Sequence, residues 1–90
     1  MSQTTCSIGD VVASKAGRDA GRAFVVVAVY DANYVALVDG VLRTVARPKK
    51  KKCKHLSLQD VPPMTITDAL VDADYRKYLR AQGFAVNRKQ

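Results

Sequence analysis

The 90-residue chain has no glutamate, and all eight of its acidic residues are aspartates. It has no apolar stretch near the roughly 20 residues that a membrane-spanning helix needs. Its longest apolar run, Ala23 to Tyr30, has the length of a buried strand. The N-terminus, Met1 to Cys6, lacks both a basic region and an apolar core, so it does not read as a secretory signal. Only two cysteines occur, Cys6 and Cys53. Without a secretory signal, the expectation is a reduced thiol pair in the cytoplasm, not a disulfide framework. His55 is the single histidine, with no paired carboxylate and no serine in a nucleophile motif, which excludes a recognisable triad. Cys53 and His55 are close, but Cys6 alone does not complete a four-ligand zinc site. The loop Gly17-Arg18-Asp19-Ala20-Gly21 lacks the Lys-Ser/Thr ending of a phosphate-binding loop, and no helix is expected after it. Asp68, Asp72 and Asp74 lack calcium-loop spacing. The expectation is a protein without enzymatic activity, cofactor or metal.

What the chain does have is concentrated positive charge. Arg47-Pro48-Lys49-Lys50-Lys51-Lys52-Cys53-Lys54-His55 holds six of the 15 basic residues and no acid. The other nine basic residues face eight aspartates, so the net charge of +7 is mostly local. Charge of that density attracts a polyanion by releasing its condensed counterions. Pro48 and the absence of an apolar period place the run in a lysine-rich loop, residues 47–55, outside any central strand or packed helix. The plainer reading of the same residues is a solvated loop that aids solubility.

Around this run the pattern is that of a small β domain. Val11 to Lys15 reads as a first strand, and the two glycines after it mark a turn. Arg22 to Tyr30 is β-branched and apolar and reads as a second strand. Asp31-Ala32-Asn33 reads as a turn in which Asn33 can adopt the left-handed conformation. Tyr34 to Val38 is a third strand, Asp39-Gly40 a hairpin signal, and Val41 to Ala46 a fourth strand. His55 to Leu58 supplies a short fifth. Five short strands with tight turns point to a small barrel over residues 7–60. Residues 61–90 then read as a linker, an amphipathic helix over about 68–82 and a loose tail from Ala85. Thr67 is the expected N-cap and Asp68 favours the positive helix start. Leu70, Val71, Tyr75, Tyr78 and Leu79 share one face, and Gly83 terminates the helix.

The stretch Ile8-Gly9-Asp10-Val11-Val12 … Lys15-Ala16-Gly17-Arg18-Asp19-Ala20-Gly21-Arg22-Ala23-Phe24-Val25-Val26 resembles a KOW motif. That motif is a strand, a glycine-containing basic loop and a second strand within an SH3-like barrel. It occurs in large-subunit ribosomal proteins and in an antitermination factor. Gly17 and Gly21 match its loop glycines, and Lys15, Arg18 and Arg22 its basic positions; Ala20 stands where a lysine is common. With the hairpin signal and the lysine run, the whole chain is similar to small bacterial KOW proteins of ribosomal-protein type. The resemblance implies a mainly β, SH3-like barrel with a short C-terminal helix, and an RNA-binding role in translation with ribosomal RNA or the large subunit as partner.

The residues give that role a physical basis. A glycine turn lets backbone approach a phosphate, and its unpaired N–H groups can form an anion-binding concavity. Arginine offers forked donors to phosphate, and lysine a point charge. Asp19 opposes this unless it pairs with an arginine. The candidate RNA contacts are Lys15, Gly17, Arg18, Gly21, Arg22, Arg47, Lys49, Lys50, Lys51, Lys52 and Lys54. Tyr30 and Tyr34 read as packing at the barrel rim in preference to base stacking, and Phe24 as core. The competing reading is an SH3-like protein-interaction module that uses the barrel edge and the C-terminal helix. Binding to an anionic lipid surface is a third reading.

Overall fold

The apolar run Ala23 to Tyr30 lacks polar alternation because the sheet it joins is covered on both faces. The computed structural model describes residues 6–86. In it the run forms β2 (Ala23–Val29), the central strand of a five-stranded antiparallel sheet. The other strands are β1 (Val11–Ser14), β3 (Tyr34–Val38), β4 (Lys49–Lys52) and β5 (Leu56–Leu58). Their order is β4-β3-β2-β1-β5. Phe24 and Val26 point into a core with Val12, Val35, Leu37, Leu56 and both cysteines. Ala23 and Val25 point the other way, with Val11 and Val38. There the helix α1 (Asp72–Ala81) lays Tyr75 and Leu79 against them. Period-two alternation therefore yields two buried faces. Leu79 is fully buried, a contribution of about 1.5–3 kcal/mol from that side chain.

The sheet is curled. In a flat sheet with strands about 4.8 Å apart, the β4 and β5 edges would stand about 19 Å from each other. They are joined only by a 3-10 turn, Cys53–His55, which spans roughly 6–8 Å. The edges must therefore approach one another. Two backbone bonds fix the turn: Cys53 N–H donates to Asn33 O at 2.7 Å, and Lys15 N–H donates to His55 O at 2.8 Å. The closing corner thus brings together the β2–β3 turn, the residue after β1, and the last residues of β4. The expected class is the one observed: mainly β, with five strands in one open sheet curled into a barrel-like fold and a C-terminal helix. Among the described residues no helix is long and apolar enough to cross a membrane.

Several local expectations need correction. Val41 to Ala46 is a loop, not a strand. The Asp39 carboxylate accepts the N–H groups of Val41 and Arg43, both at 2.9 Å. A side chain has taken the donors that a strand would offer a neighbour. The fourth strand is the lysine run itself, so the expected lysine-rich loop at 47–55 is mostly β4 and the 3-10 turn. Lysines suit this position because β4 is an edge, where charge discourages unwanted pairing. Pro48 immediately precedes the strand, where its missing N–H removes no ladder bond. Asn33 is not left-handed, since among the described residues every positive φ belongs to a glycine. The Asp31 carboxylate instead shapes that turn, accepting Asn33 N–H at 2.8 Å and Tyr34 N–H at 2.9 Å.

The helix is shorter than the expected 68–82. Thr67 O accepts a bond from Leu70 N–H in an isolated turn, and the chain is extended again at Val71. Val71 is the N-cap and is exposed, while Asp74 reaches back to accept its N–H at 2.8 Å. Asp72 accepts Val45 N–H at 2.8 Å. Contact with the β3–β4 loop, not Thr67, therefore sets where the helix begins. Of the tail expected to be loose, Val86 is buried on the helix side of the sheet, and residues 87–90 lie outside the described residues. Met1 to Thr5 of the N-terminal segment also lie outside them.

Candidate nucleic-acid interface

Alternation along β4 divides the four lysines into two pairs. Lys49 and Lys51 stand opposite Leu37 and Val35, on the core-facing side. Lys51 reaches across to the loop after β1, where its Nζ donates to Ala16 O at 3.2 Å. Lys50 and Lys52 stand opposite Ala36 and Tyr34, on the outer side. There the Lys50 ammonium lies 4.9 Å from the Tyr34 ring centroid and 5.6 Å from that of Tyr30. Lys52 Nζ lies 5.7 Å from the Tyr34 centroid. Tyr30 N–H donates to Tyr34 O at 2.9 Å, so the two tyrosines face each other across the hairpin. Tyr30 is 55% exposed. Both rings flank the β2–β3 turn beneath lysine ammoniums, Tyr30 exposed and Tyr34 half-buried.

Beside this platform is a half-open cavity of about 520 Å³. Lys15, Lys52, Lys54, Ala32, Asn33, Cys53 and Leu56 line it. Three ammonium groups and no carboxylate belong to the lining. Lys15 and the lysine run, two separate contacts in sequence, therefore meet at the closing corner. Asp31 stands near Lys50, and its carboxyl is held below the usual range by the Asn33 and Tyr34 N–H bonds and then by the Lys50 charge. It stays ionised and keeps the turn formed. Beneath the cavity, Cys53 and Cys6 are buried as free thiols in one core. Burial, then the hydrogen bond with Cys53, pushes the Cys6 thiol up to about 12. Cys53 is thus core, although it belongs to the run expected as a lysine-rich loop.

The glycine loop differs from its sequence reading. Gly17 and Gly21 both have positive φ. However, Ala20 N–H donates to Gly17 O, Gly21 N–H to Ser14 O and Arg22 N–H to Asp19 O. These three donors are committed within the loop and are not offered to an anion. Arg22 is also withdrawn: its Nη2 bonds Asp39 Oδ2 at 2.8 Å, with side-chain exposures of 11% and 1%. Asp19 pairs with Arg43 at 3.0 Å. Arg18 and Arg47 are exposed, but neither lines the cavity. Sequence reasoning passed over Asn33 as a lining residue and undervalued Tyr34. The signal was available in the pairing of the tyrosine hairpin with an edge of lysines, but only once β4 was placed as a strand.

No family model matches the chain, and no curated protein matches it.

Proposed function

We propose that this chain is a non-enzymatic, KOW-like RNA-binding module that meets its RNA through the closing corner. The observation that carries the reading is the convergence of Lys15, Lys52 and Lys54 on one cavity, with Lys50 beside it over two tyrosines. Among the described residues no lysine is ion-paired with an aspartate; the pairs present are Arg22–Asp39 and Arg43–Asp19. Unneutralised ammoniums held close together repel one another, and a polyanion relieves that repulsion while releasing its counterions. A glycine loop with two positive-φ positions, set between β1 and β2, agrees with the KOW resemblance. That resemblance in turn directs the reading to ribosomal RNA in the cytoplasm. The alternative module, binding protein through the C-terminal helix, is weakened because Tyr75 and Leu79 are already buried on the sheet.

The test is a titration with labelled RNA over a range of salt. If Lys15, Lys50, Lys52 and Lys54 each neutralise one phosphate, log affinity should fall with log salt at a slope of about −3 to −4. That is shallower than the −4 to −5 expected if six phosphates were met. A flat response overturns the reading, and tighter binding of polyaspartate than of RNA would transfer the site to an acidic protein. For the ribosomal part, a tagged protein in a gentle lysate should sediment with large ribosomal particles and be released by ribonuclease or salt. Migration as a free small protein in every condition would remove that part.

A further inference from the structure

We infer that the closing corner takes unpaired nucleotides: a base lies against Tyr34 or Tyr30, and the neighbouring phosphate enters the cavity among Lys15, Lys52 and Lys54. This rests on the RNA reading and adds to it the class of RNA, single-stranded in preference to duplex. Phosphate attraction alone would not choose between the two, because both present phosphates. The aromatic platform does choose. In a duplex every base face is already stacked on its neighbours, and protein contact is with backbone and 2′-hydroxyls. Only an unpaired base offers a free face to an aromatic ring.

Three features place the two halves of this site together. Lys52 belongs to both, since it lines the cavity and lies 5.7 Å from the Tyr34 ring centroid. Asn33 and Tyr34 are adjacent, the first in the cavity lining and the second in the platform. One carboxylate, Asp31, accepts both of their backbone N–H groups, so cavity wall and ring are oriented by the same turn. The cavity, at about 520 Å³, has the size of sites that hold nucleotide-sized ligands. In the unbound protein Lys50 occupies the space over both rings. An incoming strand supplies each group with a stronger partner. The ammonium moves from ring to phosphate, and the ring from ammonium to base.

The experiment compares a short RNA strand with the same strand annealed to its complement, at one salt concentration. The chain has four tyrosines and no tryptophan, so tyrosine emission is its own probe. The expected result is tighter binding of the single strand with partial loss of tyrosine emission, since Tyr75 and Tyr78 lie on the helix away from the site. Tyr34→Ala should weaken single-strand binding by about 5- to 100-fold, the range for one lost base stack. Tyr34→Phe keeps the ring and should restore it. Tyr30→Ala changes an exposed side chain and gives a second reading where Tyr34→Ala disturbs the fold. Lys15→Ala with Lys54→Ala should weaken binding and flatten the salt slope. Equal or tighter binding of the duplex, with both tyrosine variants unchanged, overturns the single-strand assignment and leaves the RNA reading standing. Absence of salt-dependent binding to either form removes both.

Discussion

Two regions of this molecule carry positive charge and use it in opposite ways. In one, the loops after β1 and β3 clamp each other: the first contributes Asp19 and Arg22, the second Asp39 and Arg43, and the pairs run crosswise. Arg76 adds a bond to Gly40 O at 2.7 Å. In the other, the closing corner gathers Lys15, Lys50, Lys52 and Lys54 with no aspartate paired to them among the described residues. The division follows the chemistry of the two side chains. The arginine fork is weakly hydrated and suits a fixed, partly buried carboxylate. The lysine ammonium is a strongly hydrated point charge that stays exposed until a partner arrives. Arg22 and Arg43 tie the two loops together, and the corner lysines are left without an aspartate partner among the described residues.

The largest effect should come from breaking the arginine clamp. Asp39→Ala removes the carboxylate that Arg22 Nη2 bonds at 2.8 Å, in a site where the arginine side chain is 11% exposed. It also strands the N–H groups of Val41 and Arg43. The expected loss is about 3–5 kcal/mol, a large share of the total for a domain of this size. It is read from denaturant unfolding. Replacing Arg22 and Asp39 together by apolar residues should recover only part of it, because the two backbone donors remain unmet. An Asp39→Ala protein of unchanged stability would mean that the clamp contributes nothing.

Gly40→Ala should come next. Gly40 has φ +81, and an added Cβ would overlap the Asp72 carbonyl oxygen at the start of α1. Backbone strain and displacement of the helix each cost about 1–3 kcal/mol, so a loss of roughly 3 kcal/mol in unfolding free energy is expected. RNA affinity of the folded fraction should be unchanged, because Gly40 is not among the residues that line the corner. Loss of affinity without loss of stability would contradict the separation of the two regions.

These two positions also show what the sequence could and could not reveal. The strand pattern was legible where one residue type determines the outcome: the Tyr34–Val38 bounds agree, and β1, β2 and β5 differ by only one or two residues. It was illegible at Asp39-Gly40, read as a two-residue hairpin. There the carboxylate organises a longer loop, through local bonds from Val41 and Arg43 N–H and one from the Arg22 side chain, 17 residues away. Four lysines carry no apolar period, so nothing local marks β4 as a strand; pairing with β3 supplies the order. The helix start moved for the same reason, since Val45 and Gly40 are tertiary neighbours of Asp72. Of the candidate contacts, the lysines were legible by composition. The withdrawal of Arg22 was not, because its partner lies 17 residues away.

Within the lysines the two faces of β4 should separate cleanly. Lys50→Ala with Lys52→Ala removes the outer pair and should weaken RNA binding, reducing the salt slope by about 1.4 for two lost phosphate contacts on a single strand. Stability should fall by no more than about 1.5–3 kcal/mol, since three cation–π contacts are lost and each contributes about 0.5–1 kcal/mol at an exposed site. Lys49→Ala with Lys51→Ala should leave the slope close to that of the parent protein, because Lys51 is engaged with Ala16 O on the core side. If both double variants lose the same slope, the lysines act as undifferentiated charge and the alternation of the strand has no functional meaning.

The smallest effect concerns the floor of the corner. Lysines surrounding Cys53 in sequence would draw a nearby thiol toward the thiolate, whereas burial opposes ionisation. For Cys6 burial wins, supported by the hydrogen bond with Cys53 and by the charges of Cys53 and Asp10, and its pKa rises from 9.0 to about 12. Tyr75 is raised as well, by burial first and then by Asp74 and Asp72. For an acid whose folded pKa lies above the unfolded one, the contribution to stability is full below the unfolded pKa and is lost as pH rises through the folded one. Unfolding midpoints should therefore be insensitive to these two groups near neutrality and should decline from about pH 9 upward, in the window between 9.0 and about 12 for Cys6. At pH 8 both buried thiols should alkylate slowly in the native protein and fast in urea. Rapid native alkylation would mean that the lysines above, not the core around them, govern the thiols, and that the corner is open to its floor.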